Sequence, residues 1–314
     1  MADNILVTGG AGFIGSHVVD KLIERNMIPI VVDNLSSGKL DNLDPKALFY
    51  HQDINDEEMM ERVFRIHKPR YIFHLAAQIS VSKSVREPLE DAMMNIIGTL
   101  KLLELATVNG AEKFIFSSTG GAIYGDDVST VPTPETEPAN PCSPYGIAKL
   151  SVDHYLRFYS ASRDIRCISL RYGNVYGPRQ DPDGEAGVVA IFAKGMIRND
   201  TVRVFGDGEN VRDYVYVEDV AEANVNCVAY EKSDMLNIGT GTGTTVNGLF
   251  KIMAEITGYN REPAYEDPRP GDLRASVLNS NRAQETLKWR PKTCIEDGLV
   301  KTIDFFREEL DTSE

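Results

Sequence analysis

Tyr145 and Lys149, four residues apart in the run SPYGIAKLSVDHYLRFYS, are the pair in this chain best suited to moving a proton. On a helix that spacing puts two side chains on one face, so an ammonium lies close to a phenol. A free phenol, with a pKa of about 10, is a poor base at neutral pH. A neighbouring cation stabilises the phenolate, which turns tyrosine into a general acid or base. The spacing alone is also what an ordinary amphipathic helix shows, so its weight depends on what else the chain carries.

A second constellation stands near the N-terminus. In LVTGGAGFIG the residues Gly9, Gly12 and Gly15 fall three apart, between the apolar run Ile5, Leu6, Val7 and a stretch from Phe13 through Val19 and Ile23 that repeats at helical spacing. This is a variant of the dinucleotide fingerprint. One glycine permits a sharp turn, one lets a pyrophosphate approach the backbone, and one lets the helix pack on the strand. Amides of the first helical turn, including those of Phe13 and Ile14, would hold the diphosphate. A strand over 29–32 then ends on Asp33, where a carboxylate would accept hydrogen bonds from an adenosine ribose and repel a 2′-phosphate. NAD is thereby favoured over NADP. Fingerprint, acid and Tyr-Lys pair together describe a hydride-transfer site.

These residues need a scaffold that brings strand ends together. Strand-like runs over 47–50, 71–76, 114–117 and 165–171 alternate with helical runs over 57–67, 89–108 and 144–162. That rhythm predicts an α/β fold, a Rossmann-type doubly wound parallel sheet, with ligands beyond the carboxyl ends of the strands. Thr8, Asp33, Asp53, Ala76, the run from Ser117 to Thr119, and Tyr172 stand at those ends. After Asn174 the rhythm loosens. The stretch NVYGPRQDPDGEAG reads as a functional loop or domain crossing, followed by a helix over 188–197, short strands over 202–205, 214–217 and 236–238, and further helices. The expected division is 1–174 for an NAD-binding domain, with some return of chain near 212–240, and 175–314 for a smaller α/β substrate domain. Residues 311–314 are expected to fray. His74, on the apolar strand YIFHLA, reads as a satisfied core residue, and the run NIGTGTGTTV as a turn, since no fitting acid follows it.

Composition sets the outer limits. Against 33 Lys plus Arg stand 47 Asp plus Glu, a formal charge of −14 over 314 residues. Such a surface is a poor binder of nucleic acid or anionic membrane. An anionic substrate must therefore be received by a few placed arginines. Cys142, Cys167, Cys227 and Cys294 lie far apart, and the five histidines show no H-x-x-x-H spacing, so neither a disulfide framework nor a metal site is expected. The N-terminal apolar run is too short for a signal peptide and no stretch is long enough to span a membrane, which points to a cytoplasmic protein.

The chain resembles the extended short-chain dehydrogenase/reductase family from end to end. The matching segments are VTGGAGFIG, DNLSSG, HLAAQ, SSTGGAIYG, SPYGIAK, LRYGNVYGPRQ, FGDGENVRDYVYVEDV, NIGTG and PRPGDLR. Within the family it is most similar to the UDP-glucose (UDP-galactose) 4-epimerases. The resemblance implies NAD as cofactor, a UDP-sugar as substrate, Tyr145 as catalytic base, and Lys149 as its partner and a ligand of the nicotinamide ribose. It implies a third catalytic hydroxyl in SSTGGAIYG. Similar chains run one residue shorter there, so Thr119 is the first choice and Ser118 the second.

By the same resemblance, Asn34, Ser37 and Gly38 would meet the adenosine ribose, and Asp53 and Ile54 the adenine. Leu75, Ala76, Ala77 and Gln78 would wall the diphosphate and nicotinamide, with Asn95 and Ser117 also on the cofactor and Tyr172 on the nicotinamide. On the substrate side it assigns Asn174 to the diphosphate, Gly187 and Val188 to the nucleotide loop, Phe205 to the uracil, Arg212 and Arg269 to the diphosphate, and Asp272 to the uridine ribose. Ser276 stands where epimerases restricted to non-acetylated sugars tend to carry tyrosine, which implies a roomier sugar pocket. A homodimer formed through the helices over 89–108 and 147–160 is also implied. Related dehydratases and decarboxylases carry acids just after the strand-end hydroxyl, whereas Gly120, Gly121 and Ala122 follow it here. Other UDP-sugars, the N-acetylhexosamines and uronic acids, remain alternatives, as does a non-catalytic NAD-sensing protein.

Overall fold

A computed structural model describes residues 4–183, 187–269 and 271–311. Its central feature is a seven-stranded parallel sheet of β1 (Asn4–Thr8), β2 (Ile28–Asp33), β3 (Leu48–His51), β4 (Tyr71–His74), β5 (Lys113–Thr119), β6 (Arg166–Tyr172) and, far along the chain, β11 (Asp234–Ile238). The order across the sheet is β11-β6-β5-β4-β1-β2-β3. Chain order reverses between β1 and β4, and a crevice opens at such a switch point.

Apolar side chains cover both faces of the sheet, as a fully buried parallel sheet requires. On one face Val18, Val19 and Leu22 of α1 (Phe13–Glu24) and Val220 of α9 (Val217–Asn226) pack on Ile5, Val7, Val31 and Ile115. The other face carries α2 (Glu57–His67), α5 (Gly98–Val108) and α7 (Pro144–Ser162), whose Val63, Phe64, Leu102, Leu103, Val152 and Leu156 meet Leu6, Ile72, Phe114 and Phe116. The helical run expected over 89–108 is built from α4 (Pro88–Ala92), a π-helical turn over Met93–Ile97, and α5. Short helices α3 (Val81–Arg86) and α6 (Gly121–Tyr124) complete this half.

A separate apolar cluster organises much of the rest. Phe192 and Met196 of α8 (Val188–Ile197), Leu249 and Met253 of α10 (Val246–Thr257) and Leu299, Ile303 and Phe306 of α12 (Ile295–Asp311) enclose Tyr176, Val204, Tyr214 and Tyr216. These last come from β7 (Asn174–Tyr176), β8 (Arg203–Phe205) and β10 (Tyr214–Tyr216). The pairs β7 with β10 and β8 with β13 (Ala264–Glu266) are parallel. In between, β9 (Val211–Arg212) is flanked by β12 (Thr244–Thr245) and β14 (Ala275–Ser276). The chain returns to the main sheet through β11 and through α11 (Asn281–Thr286), whose Ala283 joins Leu287 and Trp289 in the first cluster. Of the loop after Asn174, residues 184–186 lie outside the described residues, as do Pro270 of the PRPGDLR run and the terminal 312–314.

Candidate active site

The glycine turn is shaped by steric necessity. Gly9 has φ +70°, and a Cβ on it would stand 2.6 Å from the Ala76 backbone nitrogen; a Cβ on Gly15 would stand 2.1 Å from the Gly9 carbonyl oxygen. Only glycine lets α1, β1 and the chain after β4 come this close. Gly12, in extended conformation, precedes the helix, and no side chain caps its first turn. The helix end therefore presents uncapped amides and the positive end of its dipole to the crevice.

Beyond these strand ends lies a cleft of about 440 Å³. It is lined by Gly9, Gly12, Phe13, Ile14 and Gly15 of the glycine turn, by Asp33, Asn34, Ser37, Asp53 and Ile54 at or after the ends of β2 and β3, by Leu75, Ala76, Ala77 and Gln78 after β4, and by Ser117, Ser118, Tyr145, Lys149 and Tyr172. These donors and the glycine cradle fit a dinucleotide. Asp33 also organises the turn itself, since Oδ2 accepts from the Ala11 amide at 3.0 Å and Oδ1 from the Leu35 amide at 2.8 Å. Asn34 donates to Asp53 Oδ2 at 2.8 Å, tying the ends of β2 and β3 together. Burial would raise the Asp53 pKa, but hydrogen bonds from the Asn55 amide and from the Asn34 and Asn55 side chains outweigh it and hold it below its ordinary value.

Two residues of the expected cofactor set stand behind the cleft instead of lining it. Gly38 lies against Ala11, whose backbone and Cβ would be 3.0 Å from any side chain there. Asn95, buried in the π-helical turn, accepts from the Gln78 amide at 2.9 Å and donates to the Gln78 carbonyl at 2.9 Å, so it clamps the wall residue by its backbone. Asp91 supports the same clamp by accepting from Gln78 Nε2 at 2.8 Å and Asn95 Nδ2 at 2.9 Å.

His74 belongs to the core and is no base. Thr99 Oγ1 donates to the Asn95 carbonyl at 2.7 Å, so it receives the His74 Nε2–H at 2.9 Å; Nδ1 then accepts from the Thr8 hydroxyl at 2.7 Å. Burial, with the Lys149 charge adding to it, pushes the imidazole down to about 3.

Tyr145 and Lys149 sit at the start of α7, which opens on a Ser143 cap that accepts from the Gly146 amide at 3.2 Å, followed by Pro144 at the first helical position. Lys149 Nζ lies 5.8 Å from the Tyr145 ring centroid and 4.5 Å from that of Phe116, and donates to the Ser117 carbonyl at 2.8 Å. The expectation that the ammonium lowers the phenol's pKa does not hold for the protein by itself. Burial, reinforced by the Asp91 carboxylate, pushes the Tyr145 phenol well above its ordinary value. Burial also lowers Lys149 from 10.5 to about 8, with Asp153 and Asp91 opposing it.

The two candidate hydroxyls take opposite sides of β5. Phe114 and Phe116 face α5 and α7, so Ser118 shares their side of β5 and Thr119 takes the opposite one. Ser118 lines the cleft, and its Oγ is buried without a hydrogen-bond partner, whereas Thr119 lies outside the lining and accepts from the Ala122 amide at 3.4 Å.

A second cavity, about 520 Å³, has Asn174 in its lining, two residues along the chain from Tyr172, which lines the first. Asn174, Val188, Phe205, Arg212, Arg269 and Asp272 all line it. Arg212 Nη2 is paired with Asp272 Oδ1, and Asn210 donates to Asp272 Oδ2 at 3.0 Å. The Arg269 guanidinium carbon lies 4.0 Å from the centroid of the Phe205 ring, a cation–π contact. Gly187 and Ser276 are outside this lining: Gly187 precedes α8, and the Ser276 Oγ would be 3.0 Å from a Cβ on Gly121, just past the end of β5.

The family model for the NAD dependent epimerase/dehydratase family matches residues 5–239, most of the chain. The chain belongs to this family. A putative UDP-glucose 4-epimerase of Methanocaldococcus jannaschii is 43% identical over 303 residues, covering 96% of this chain and 98% of the relative. Among solved structures, a UDP-glucose 4-epimerase of Thermotoga maritima with UDP-glucose superimposes with a TM-score of 0.96 at 61% identity, over 98% of this chain and 99% of that one. The Thermus thermophilus UDP-glucose 4-epimerase in complex with NAD gives 0.91 at 45% identity, over 97% and 99% of the two chains. The extended short-chain dehydrogenase/reductase resemblance thus holds over nearly the whole length.

For an epimerase-family chain, several residues of this site escape sequence reading. The Tyr214 hydroxyl is buried at the second cavity with no hydrogen-bond partner. Alternation along YVY would have found it, since Tyr214 and Tyr216 share one face. Asp91 beside the Tyr-Lys pair has no local signal. The glycine-rich run after β11 is a turn, as its lack of an acid suggested, and a buried carboxylate fills it. Asp213 Oδ1 accepts from the Thr240 amide at 2.8 Å and Oδ2 from the Gly241 amide at 3.1 Å. Among the described residues, no helix is long and apolar enough to cross a membrane.

Proposed function

We propose that the protein inverts C4 of a UDP-hexose, interconverting UDP-galactose and UDP-glucose through a transient 4-keto sugar, with residues 1–174 mainly holding NAD and 175–314 mainly holding the UDP-sugar. The observation that carries this is that Tyr145, Lys149 and Ser118 line one cavity and Arg212 and Arg269 another, the two linings lying two residues apart in the chain at Tyr172 and Asn174. Relatives named for this reaction, and solved with UDP-glucose and with NAD, support it.

The glycine turn and the first turn of α1 would hold the cofactor diphosphate, Asp33 the adenosine ribose, and Lys149 the nicotinamide ribose. NAD⁺, when bound, would supply a hydride acceptor and a positive charge. Tyr145 takes the proton of the C4 hydroxyl, and Lys149 keeps the phenolate charge balanced against burial. A buried hydroxyl on the end of β5, Ser118 by its place on the cleft wall, hydrogen-bonds the reacting oxygen. The arginines would grip the diphosphate and leave the sugar free to turn while its C4 is a ketone. Binding energy is thereby spent away from the reacting carbon. Tyr214 offers its free hydroxyl to the same substrate.

A side chain added at the dehydratase position would have to displace the side chain of Leu278 or Ser276. A Cβ on Gly120 would stand 2.6 Å from Leu278 and one on Gly121 3.0 Å from Ser276. Exposed Leu89, Met93 and Ile97, at helical spacing, with Ile147 and Phe158 on α7, form an apolar face that supports the homodimer. The acidic surface and free thiols suit a cytoplasmic enzyme that binds neither nucleic acid nor membrane.

The small side chain at position 276 extends the reading to N-acetylated sugars. Assaying UDP-galactose and UDP-N-acetylgalactosamine with the parent and with Ser276→Tyr tests both levels. The parent is expected to epimerise both sugars, and the variant to lose the second selectively, by roughly ten- to a hundredfold in relative kcat/KM, because overpacking costs about 1–3 kcal/mol. No turnover of UDP-galactose by the parent contradicts the function, and an unchanged ratio contradicts the role of position 276.

A further inference from the structure

We infer that His17 and Asp20, on the helix that opens the dinucleotide fold, are positioning residues for the substrate: they clip Pro178 and Arg179 to α1 and so fix where α8 presents Val188 to the second cavity. The inference rests on reading that cavity as the UDP site.

His17, 7% exposed, lies one turn beyond Phe13, and the two rings meet edge to face at 6.3 Å. Phe13 lines the cofactor cleft. The Pro178 carbonyl can only accept, so His17 Nε2–H donates to it, at 3.0 Å. Three residues on, and so on the same face of the helix, Asp20 accepts from Arg179 Nη1 at 2.7 Å. One helix thus makes two polar contacts with two consecutive residues of a segment some 160 positions away in sequence, the separation being 161 for His17 and 159 for Asp20.

Arg179 needs such a hold. Its φ of +68° lies in the left-handed region, which residues with a side chain adopt at a cost. The residue after it carries the constraint forward. Gln180 Nε2 donates to the Val175 carbonyl at 3.3 Å, and a Cβ on Gly187 would stand 2.8 Å from that same nitrogen. Gly187 precedes α8, and Val188 opens it on the cavity wall. Burial holds the His17 imidazole at about 4, so the clip keeps one neutral form at working pH. The contacts run from the wall of one cavity to the wall of the other. A chain held this way should bind UDP less well when the clip is cut, while its cofactor stays in place.

The test is calorimetric titration of UDP into protein carrying its own NAD, for the parent, His17→Leu, His17→Gln and Asp20→Asn, with steady-state kinetics alongside. His17→Leu is expected to weaken UDP about 3- to 10-fold, the worth of one hydrogen bond, and to raise KM in step while kcat stays within about twofold. His17→Gln keeps a donor and should recover most of the loss. Asp20→Asn should show a smaller loss of the same kind, and NAD content should match the parent throughout. UDP affinity within about twofold of the parent in both His17→Leu and Asp20→Asn overturns the inference. So does a parallel fall of NAD content, kcat and UDP affinity, which marks general support of the fold. If His17→Leu does not fold, Asp20→Asn decides. A parent that binds no UDP overturns the reading of the cavity itself, and the inference with it.

Discussion

Tyr145→Phe is expected to lower kcat by about 10²–10⁴-fold while leaving NAD and UDP binding near the parent values. The ring stays, so its place beside Lys149 stays, and the backbone amide of residue 145 still donates to Ser84 Oγ, a bond of 3.2 Å in the parent. What goes is the phenol oxygen that the proposed mechanism uses to take the proton of the C4 hydroxyl. Because the phenol is held protonated by burial in the protein alone, its basicity depends on positive charge gathered beside it. Lys149→Met should therefore lose activity too, with the acid limb of the pH profile moved to higher pH. Rapid mixing with UDP-galactose and equilibrium binding of UDP check the two halves separately. Turnover near the parent level in Tyr145→Phe would place the base elsewhere.

The largest effect on stability is expected at Arg171 and Asp153. Both are almost fully buried, at 4% and 1% side-chain exposure, with Arg171 Nη2 and Nε 2.8 and 2.9 Å from Asp153 Oδ2. Ser169 donates to Asp153 Oδ1 at 2.5 Å, and Arg171 Nη1 donates to the Tyr124 hydroxyl at 2.9 Å. Tyr124 in turn donates to Asn237 Oδ1 at 3.0 Å, so the network ties α7 to β6, α6 and β11. Asp153→Ala strands a buried guanidinium and is expected to destabilise the fold by about 3–5 kcal/mol. Replacing both partners, Asp153→Leu with Arg171→Met, removes the stranded charge and should recover most of that loss. Chemical denaturation at equal cofactor content measures it, and a single-variant loss below about 1 kcal/mol would contradict the account.

What could be read from the chain was local. The glycines of the first turn, the acid ending β2 and the Tyr-Lys spacing each state their geometry within a few residues, and the structure brings them to one cleft. Contacts between distant segments could not be read this way. The side chain that meets Gly121 comes from residue 276, the carboxylate that fills the 239–243 turn from Asp213, and the stack on Phe205 from Arg269. Periodicity announced one helix over 89–108, but the π-helical turn inside it, which sets Asn95 against Gln78, has no periodic signal. Strand parity puts Thr119 and Ser118 on opposite sides of β5, but Ser117, with the parity of Thr119, also lines the cleft, so only the three-dimensional lining separates the two candidates. For the phenol, spacing reveals the nearby charge but not the burial that outweighs it.

The central claim is that hydride leaves C4 and returns to C4 of the same sugar on a cofactor the protein retains. It is tested most directly by incubating the purified protein, with no NAD added, with UDP-galactose deuterated at C4 in ordinary water. The account predicts UDP-glucose that keeps its deuterium at C4, with no net reduction of cofactor. Loss of the deuterium to solvent, or an absolute requirement for stoichiometric NAD⁺, would contradict it.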